Sequence, residues 1–263
     1  MKAQLFFVLF ILGMASLSAL SLTDGLVAYW AGEGNGSDAS GNGYSLTALN
    51  GGTYGEGKYG QAFQLDGSDD RWEGSPDGTN SAFDFQKQFT LAAWVKVDQI
   101  TGNLSHAPVI CKWGQTGYGT ANYGLNIMKD TKKVWFIASS TGTNVIEVTS
   151  TTALSSSSFY HIAGVYDGTA LRVYVNGVLE ASTPFTSNLP QNNVPMLLGG
   201  YNYSFTGYTG QIKGLVDEVA VYNRALSGSE IISLSAGISV PEPTSLFLII
   251  FTLFFAIKTN KKK

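Results

Sequence analysis

The chain has 263 residues, of which 44% are hydrophobic and only 13% are charged. A globular domain usually has about 25% charged residues, so this low charge together with 31 glycines favours an all-β domain with many turns. Between residues 22 and 240 there are 11 Lys and Arg against 18 Asp and Glu, which gives a net charge of −7. Because nucleic-acid binding needs a basic surface, we expect no nucleic-acid partner, whereas cations or neutral ligands suit this charge.

The first 21 residues have the pattern of a secretory signal peptide. Lys2 precedes an apolar run over residues 5–12, and small residues are frequent from there to residue 21. The pattern predicts export, removal by signal peptidase, and a folded domain over residues 22–237. Cys111 is the only cysteine, so no disulfide can form within the chain, and we expect its thiol to be buried.

Short β-patterned runs separated by turn residues fill this domain. The clearest run, residues 89–97, alternates with period two and predicts that its odd-numbered residues face a core while Trp94 points outward. The other predicted strands are residues 26–30, 61–65, 71–74, 109–112, 123–128, 134–138, 145–149, 160–166, 171–175, 178–181, 196–199 and 211–222. Regularly spaced short strands indicate a sandwich rather than βαβ units.

Two turn dipeptides join the runs 160–166, 171–175 and 178–181 into a meander. Asp167-Gly168 and Asn176-Gly177 suit tight hairpins, because both central residues of the favoured turn need positive φ. One helix is predicted after Ser227, which forms a capping box with Glu230. No internal repeat and no change of composition divides the domain, so we expect one folded unit.

Six segments, in this order, resemble the LamG-like (concanavalin A-like) jelly-roll domain. They are residues 25–30, 38–43 (DASGNG), 60–67 (GQAFQLDG), 89–96 (FTLAAWVK), 160–168 (YHIAGVYDG) and 210–226 (GQIKGLVDEVAVYNRAL). Leu65 departs from the pattern, in which phenylalanine is usual. The resemblance implies an all-β fold, a jelly-roll sandwich of two antiparallel sheets, which hosts lectins, adhesion modules and a few enzymes.

The last 26 residues, 238–263, resemble a PEP-CTERM sorting signal. Pro241, Glu242 and Pro243 precede an apolar run over residues 246–257, and a cluster of lysines follows. The resemblance implies recognition and removal by an integral-membrane exosortase, with a short C-terminal helix in the inner membrane before processing. A plain membrane anchor is the alternative, although the run is shorter than the roughly 20 residues that a full span needs. Both place the domain at the cell envelope, the outer surface or the extracellular matrix.

A cation site is the first candidate for function. The resemblance implies that the first and last strands pair, which would bring the loop at Asp38 close to Asp217, and some family members bind calcium there. Carboxylate and carbonyl oxygens suit Ca²⁺, so Asp38, Asn42 and Asp217 are the predicted ligands. In the alternative, Asp38 and Asn42 only stabilise their own turn and Asp217 pairs with Arg224.

A glycan-binding face is the second candidate. Aromatic rings that stack on sugars, beside amide groups, are typical of shallow lectin sites, and loops carry binding more often than cores do. The predicted ligand-binding residues are Trp94, Trp113, Tyr118, Tyr201 and Tyr203. In the alternative these rings cover the sheet edge. Trp30, Trp72 and Trp135 are expected to serve in packing.

No catalytic arrangement is evident, so we expect no enzyme activity. His161 lies within a predicted strand and His106 in a polar loop, and neither suggests a nucleophilic triad. Asp217 and Glu218 are adjacent on a predicted strand, so they are expected to point to opposite faces and not to act together. The sequence therefore predicts an exported, non-catalytic protein that binds glycan or matrix ligands. The alternatives are a polysaccharide-active hydrolase or lyase and a purely structural matrix component.

Overall fold

The computed structural model describes residues 22–74, 81–113, 121–141, 144–192, 194–201 and 209–237. In chain order its elements are β1 Leu26–Trp30, β2 Thr47–Leu49, β3 Thr53–Glu56, β4 Gln61–Asp66, β5 Arg71–Glu73, a 3-10 helix Ser81–Phe83, β6 Phe89–Gly102, β7 His106–Trp113, β8 Ala121–Met128, β9 Lys133–Ser139, β10 Val145–Ala153, β11 Tyr160–Tyr166, β12 Ala170–Val175, β13 Val178–Pro184, β14 Leu197–Leu198, β15 Gly210–Tyr222 and α1 Gly228–Ser235.

These strands form two antiparallel sheets. The eight-stranded sheet has the order β13-β12-β11-β6-β15-β4-β3, with β1 paired to β15, and the seven-stranded sheet has the order β10-β9-β8-β7-β14-β5-β2. The first and last strands of the domain are therefore neighbours, as the resemblance implies. The predicted all-β, two-sheet antiparallel jelly-roll sandwich is confirmed.

The main core lies between the two sheets and follows from the alternation of side chains along each strand. Its members from β6 are Phe89, Leu91, Ala93, Val95, Val97 and Ile100, all at most 3% exposed. Trp30 and Trp72 also belong to this core. Each buried aliphatic or aromatic side chain contributes about 1.5–3 kcal/mol, so this alternation decides which face of the strand turns inward.

A second apolar cluster covers part of the outer face of the eight-stranded sheet. Helix α1 lies there, and its inward side chains Ile231 and Leu234 belong to one cluster with residues from β1, β6, β11, β12 and β15. The predicted capping box begins the helix, since the Ser227 hydroxyl accepts from the Glu230 N–H and the Glu230 carboxylate accepts from the Ser227 N–H. Leu22 is fully buried in the same cluster.

The two predicted hairpin turns differ. Asn176 and Gly177 both have positive φ, 50° and 82°, as the prediction requires for a two-residue turn. The Asp167-Gly168 connection is instead a three-residue loop, because the Asp167 carboxylate accepts from the backbone N–H groups of Thr169 and Ala170, both at 2.9 Å. Strands β2 and β3 were not predicted, and β6 continues five residues beyond the predicted end at residue 97.

Candidate functional site

The part of the eight-stranded sheet that α1 does not cover has a groove of about 690 Å³ on its outer face. It is lined by Gly55, Glu56, Gly57, Gln64, Leu65, Asp66, Lys96, Asp98, Phe159, Lys213, Gly214 and Leu215. These residues come from four neighbouring strands and from the segment before β11. The volume lies within the range of about 300–1,000 Å³ that is usual for small-molecule sites.

Strand alternation and one glycine shape the floor of the groove. Lys96 and Asp98 lie on the outward side of β6, two and four residues after Trp94. Gly214 occupies the point where the register of β15 shifts against β6, and its φ is 152°. A Cβ at this position would collide with the carbonyl oxygen of Lys96, so the backbones can approach here only with glycine.

Most charged side chains of the groove have no partner among the described residues, although the Asp66 carboxylate accepts from the Ser68 N–H at 2.6 Å. Among the described residues, four form neither an ion pair nor a side-chain hydrogen bond: Glu56, Lys96, Asp98 and Lys213. By contrast, the buried Lys112 ammonium lies 2.6 Å from Asp84, and Arg224 lies 2.6 Å from Glu230. The groove thus presents donors and acceptors that a ligand could satisfy.

Next to the groove, three adjacent strands place a row of side chains on the same outer face. Asp217 of β15 and His161 of β11 are both register partners of Trp94 of β6. Trp94 points outward as predicted, but it is only 7% exposed, because the Lys58 ammonium lies 4.6 Å from the centre of its ring and Tyr59 packs edge-on at 6.1 Å.

Asp217 is fully buried in this row. Its Oδ2 accepts hydrogen bonds from the backbone N–H groups of Lys58 (2.7 Å) and Tyr59 (3.0 Å), whereas Oδ1 has no hydrogen-bond partner among the described residues. Burial raises the pKa of Asp217 to about 7, and the charge of Glu218 adds to the rise, although the two backbone N–H groups oppose it. Burial likewise lowers the pKa of His161 to about 4, so its imidazole is neutral at physiological pH.

The prediction that Asp217 and Glu218 point to opposite faces is wrong. A β-bulge interrupts β15 between Asp217 and Ala220, and Glu218 has a φ of 53°. Val216 and Val219 both belong to the core, so the two acidic residues between them both lie on the outer side. Consistent with this, the Tyr29 hydroxyl, from the cluster beneath α1, donates to Glu218.

The other two predicted calcium ligands stabilise the loop after β1. The Asp38 carboxylate accepts from the backbone N–H groups of Tyr29, Ser40 and Tyr44 at 2.9–3.0 Å. The Asn42 side-chain amide donates to the carbonyl oxygens of Leu26 and Val27, both at 3.0 Å. These bonds match the alternative role of the two side chains in their own turn, and among the described residues neither side chain forms a hydrogen bond with Asp217. Arg224 pairs with Glu230 and Asp24.

The predicted glycan-binding aromatics do not share one surface. Trp113 and Tyr201 lie together on the seven-stranded sheet beside Cys111, whereas Trp94 lies on the eight-stranded sheet. Tyr201 is 1% exposed and its hydroxyl donates to Asn126 (2.9 Å). Tyr118 and Tyr203 lie outside the described residues, as do Pro241, Glu242 and Pro243 of the sorting signal.

Trp135 lies on the outer face of the seven-stranded sheet, whereas Trp30 and Trp72 lie in the core. It is half-buried, its indole Nε1 donates to Glu147 (2.9 Å), and the His106 ring packs against it at 4.6 Å. Burial lowers the pKa of His106 to about 4. Alternation along β9 could have indicated this outward position, because Val134 and Phe136 on either side face the core.

Two stacked antiparallel sheets around one core, with a groove on the outside, define a jelly-roll β-sandwich of the lectin-like class. A family model described as the concanavalin A-like lectin/glucanases superfamily matches residues 66–232, and the chain belongs to this superfamily.

Three solved structures illustrate the same fold. Domain 4 of AbnA, a GH43 extracellular arabinanase from Geobacillus stearothermophilus, was solved in complex with arabinotriose; it is 23% identical with a TM-score of 0.61, over 80% of this chain and 98% of that one. The binding domain of Paraclostridial Mosquitocidal Protein 1 is 18% identical with a TM-score of 0.65, over 81% and 52%. The binding domain of botulinum neurotoxin DC, in complex with SialylT, is 10% identical with a TM-score of 0.61, over 83% and 52%.

These identities establish the fold and no more. The chain spans about half the length of the two toxin domains. No curated protein matches it. Within the described segments, no helix has both the length and the apolar character needed to span a membrane.

Proposed function

We propose that the chain is an exported, non-catalytic binding protein of the cell envelope or extracellular matrix, and that its ligand is a glycan. The observation that carries this proposal is the open groove of about 690 Å³, in which the side chains of Glu56, Lys96, Asp98 and Lys213 have no partners among the described residues. The fold relatives support it, because one was solved with arabinotriose and another with SialylT.

The chemistry of the groove suits a neutral oligosaccharide. Three carboxylates and one amide, from Glu56, Asp66, Asp98 and Gln64, can accept or donate hydrogen bonds to hydroxyl groups, and Lys96 and Lys213 add donors. Leu215 and the half-buried Phe159 offer apolar surface to the C–H faces of a sugar. Because the carboxylates outnumber the ammonium groups, an anionic glycan would be less favoured.

Titration with sugars tests the groove directly. The full chain should release heat on calorimetric titration with arabinotriose or with another member of a panel of neutral oligosaccharides, and the double variant K96A/D98A should bind at least about tenfold more weakly. The matched control is D130A, which removes an exposed acid from the β8–β9 turn and should bind like the wild type. Binding that survives K96A/D98A, or none across the panel, would contradict the proposal.

The alternatives predict different products. A polysaccharide-active hydrolase would release new reducing ends from a polymer that contains the bound sugar, and a lyase would release unsaturated sugars. A structural matrix component would neither bind the panel nor release products. We expect binding without product release.

Export and sorting complete the proposal. The signal-peptide pattern of residues 1–21 supports secretion and cleavage by signal peptidase. The C-terminal order, in which Pro241, Glu242 and Pro243 precede an apolar run and a lysine cluster, supports processing by an exosortase and transient membrane attachment through residues 246–257. Mass spectrometry of the mature protein tests both cleavages, since an intact N-terminus or C-terminus would contradict the corresponding step.

Calcium is also part of the proposal, with Asp38, Asn42 and Asp217 as its ligands. Asp217 fits a cation best, because its buried Oδ1 lacks a partner and Ca²⁺ would favour the ionised carboxylate. Asp38 fits less well, because backbone N–H groups already occupy both of its oxygens. Calcium should raise the melting temperature of the wild type but not of D217N. No heat on titration and an unchanged melting temperature would rule calcium out.

A further inference from the structure

Lys112 of β7 is fully buried, and it lies on the core side of its sheet. Its register partner Tyr123 belongs to the main core, whereas the preceding Cys111 lies in the cluster on the outer side. Burying an ammonium group is costly even when it is paired, and an apolar side chain in such a place is often at least as stabilising. Stability alone therefore does not explain a lysine at this position.

Two loops bring the partners of this ammonium group together. Asp84 follows the 3-10 helix, and its Oδ1 lies 2.6 Å from the Lys112 Nζ. Asn192 lies between β13 and β14, and both its backbone carbonyl oxygen (2.5 Å) and its side-chain Oδ1 (2.9 Å) accept from the same Nζ. An amine, a carboxylate and a carboxamide therefore meet at one point, although 80 residues separate the amine from the carboxamide.

Backbone and side-chain hydrogen bonds hold the carboxamide of Asn192 beside the amine. The Val194 N–H donates to its Oδ1 at 3.2 Å, and the Asn192 N–H donates to the Asp84 Oδ1 at 3.4 Å. The Asn122 side-chain amide fixes the same loop, because it donates to the Pro190 carbonyl oxygen at 2.8 Å. An N–H that donates to a carbonyl oxygen stabilises the negative charge that develops there when a nucleophile attacks the carbon.

The Asp84 carboxylate lies where a base for the amine is needed. Phe83 and Phe85 on either side of it belong to the main core, and its own side chain is only 10% exposed. Burial lowers the pKa of Lys112, although the contact with Asp84 opposes this fall. Proton transfer to Asp84 leaves a neutral amine, which is the nucleophilic form of lysine.

We propose that Lys112 and Asn192 become joined by an isopeptide bond, in a reaction of the folded chain with itself. Asp84 takes one proton from the ammonium group, and the neutral Nζ attacks the Asn192 Cγ. The Nζ–Cγ bond forms and the Cγ–Nδ2 bond breaks, while Asp84 gives its proton to Nδ2 and takes the second proton from Nζ. That second proton leaves with the ammonia as an ammonium ion, so the carboxylate is restored. The reaction consumes no oxidant, water or cofactor.

The bond closes a covalent ring across 80 residues of the chain. It joins β7 of the seven-stranded sheet to the segment that returns from β13 of the eight-stranded sheet. A cross-link around a long loop restricts the unfolded chain, as a disulfide does. The single cysteine allows no disulfide within this chain, so the isopeptide bond supplies the cross-link in another way. The inference does not depend on the groove or on its ligand.

Mass spectrometry of the folded full chain tests the inference. We expect an intact mass that is lower by one ammonia molecule than the sequence requires, and a digest that contains a branched peptide with Lys112 joined to Asn192. K112M and D84A should have the full mass, because the first lacks the nucleophile and the second lacks the base. The matched control K129M removes an ammonium group that donates to the Gly102 carbonyl oxygen, and it should keep the mass loss.

Two results would overturn the isopeptide bond. Wild-type protein of full mass, with Lys112 and Asn192 on separate peptides, would show that the three groups form only a buried ion pair, and this result needs no variant to fold. The second concerns succinimides, which lose the same mass and form at Asn-Gly dipeptides, here those that begin at Asn35, Asn42, Asn50 and Asn176. A mass loss that persists in K112M, with chain cleavage by hydroxylamine at one of these dipeptides, would assign the loss to a succinimide.

Discussion

The outer face of the eight-stranded sheet has a covered half and an open half, and a single strand passes through both. On β6, Ala92 lies beneath α1 in an apolar cluster, whereas Lys96 and Asp98 line the groove. The inward residues of the same strand belong to the core along its whole length. The core therefore does not distinguish the two halves. The outward residues do: those of one half are buried beneath α1, and those of the other half line the groove that the proposed function assigns to binding.

Strand β15 shows the same division, with a transition between the halves. Ala220 and Tyr222 are buried in the covered half, whereas Lys213 and Leu215 line the groove. Asp217 lies between them just before the bulge, and the segment at Lys58 and Tyr59 covers its carboxylate, which is fully buried. Residues at this transition are expected to affect both stability and pH dependence.

Removing an apolar contact from the covered half should have the largest effect. We expect I231A to lower the free energy of unfolding by about 3 kcal/mol, because Ile231 is fully buried between α1 and the sheet. The neighbouring I232A makes the same chemical change at a 57% exposed position and should cost less than about 1 kcal/mol. Urea denaturation measures both, and equal losses would show that α1 does not seal this face.

The buried carboxyl at the transition should make stability depend on pH. Its folded pKa of about 7 lies above the unfolded value, so the stability it contributes is present below the unfolded pKa and is lost as pH rises through 7. Without calcium, D217N should therefore gain about 2 kcal/mol relative to the wild type between pH 4 and pH 7.5, at roughly 1.4 kcal/mol per pKa unit and with allowance for relaxation.

The comparison with D217N removes the opposite contribution of the histidines. His106 and His161 have lowered pKa values, so they favour the folded state as pH rises, but they are present in both proteins. A difference between D217N and wild type that stays constant from pH 4 to pH 7.5 would mean that Asp217 is ionised throughout.

The cap of the covering helix should have a smaller effect. S227A removes the hydroxyl that accepts from the Glu230 N–H, and loss of such a cap costs about 1 kcal/mol. S233A, at a half-buried serine within the same helix, should change the free energy of unfolding by only a few tenths of a kcal/mol. Chemical denaturation compares the two variants, and equal losses of unfolding free energy would show that the capping box does not stabilise the helix.

Substitutions in the open half should have the smallest effect on folding. The side chains of Lys96 and Asp98 make no ion pair or hydrogen bond with the described residues, so K96A/D98A should leave the free energy of unfolding within about 0.5 kcal/mol of the wild type. A loss of more than about 2 kcal/mol would show that the groove supports the fold.

The sequence predicted the parts of the fold that depend on short-range patterns. Alternation located the inward face of β6, the Asn176-Gly177 dipeptide gave its turn, and the capping box gave the start of α1. Strands β2 and β3 were not predicted, because they are only three and four residues long, are mostly exposed and show no alternation.

The groove could not be predicted in the same way. It joins β3, β4, β6 and β15, whose neighbourhood depends on sheet order and not on any local motif. The sequence did not predict the bulge at Asp217 and Glu218, because this segment has the pattern of an ordinary alternating strand. The prediction of glycan-binding aromatic residues assumed that they share one surface, whereas Trp94 and Trp113 belong to different sheets.

The most direct test of the central claim maps the ligand on the protein. In an NMR titration of the full chain with the best-binding neutral oligosaccharide of the panel, the account predicts that backbone amide shifts concentrate at Gly55, Gln64, Lys96 and Gly214. Shifts that concentrate around Trp135 and Tyr201 on the other sheet, or no shifts with any neutral sugar, would contradict it.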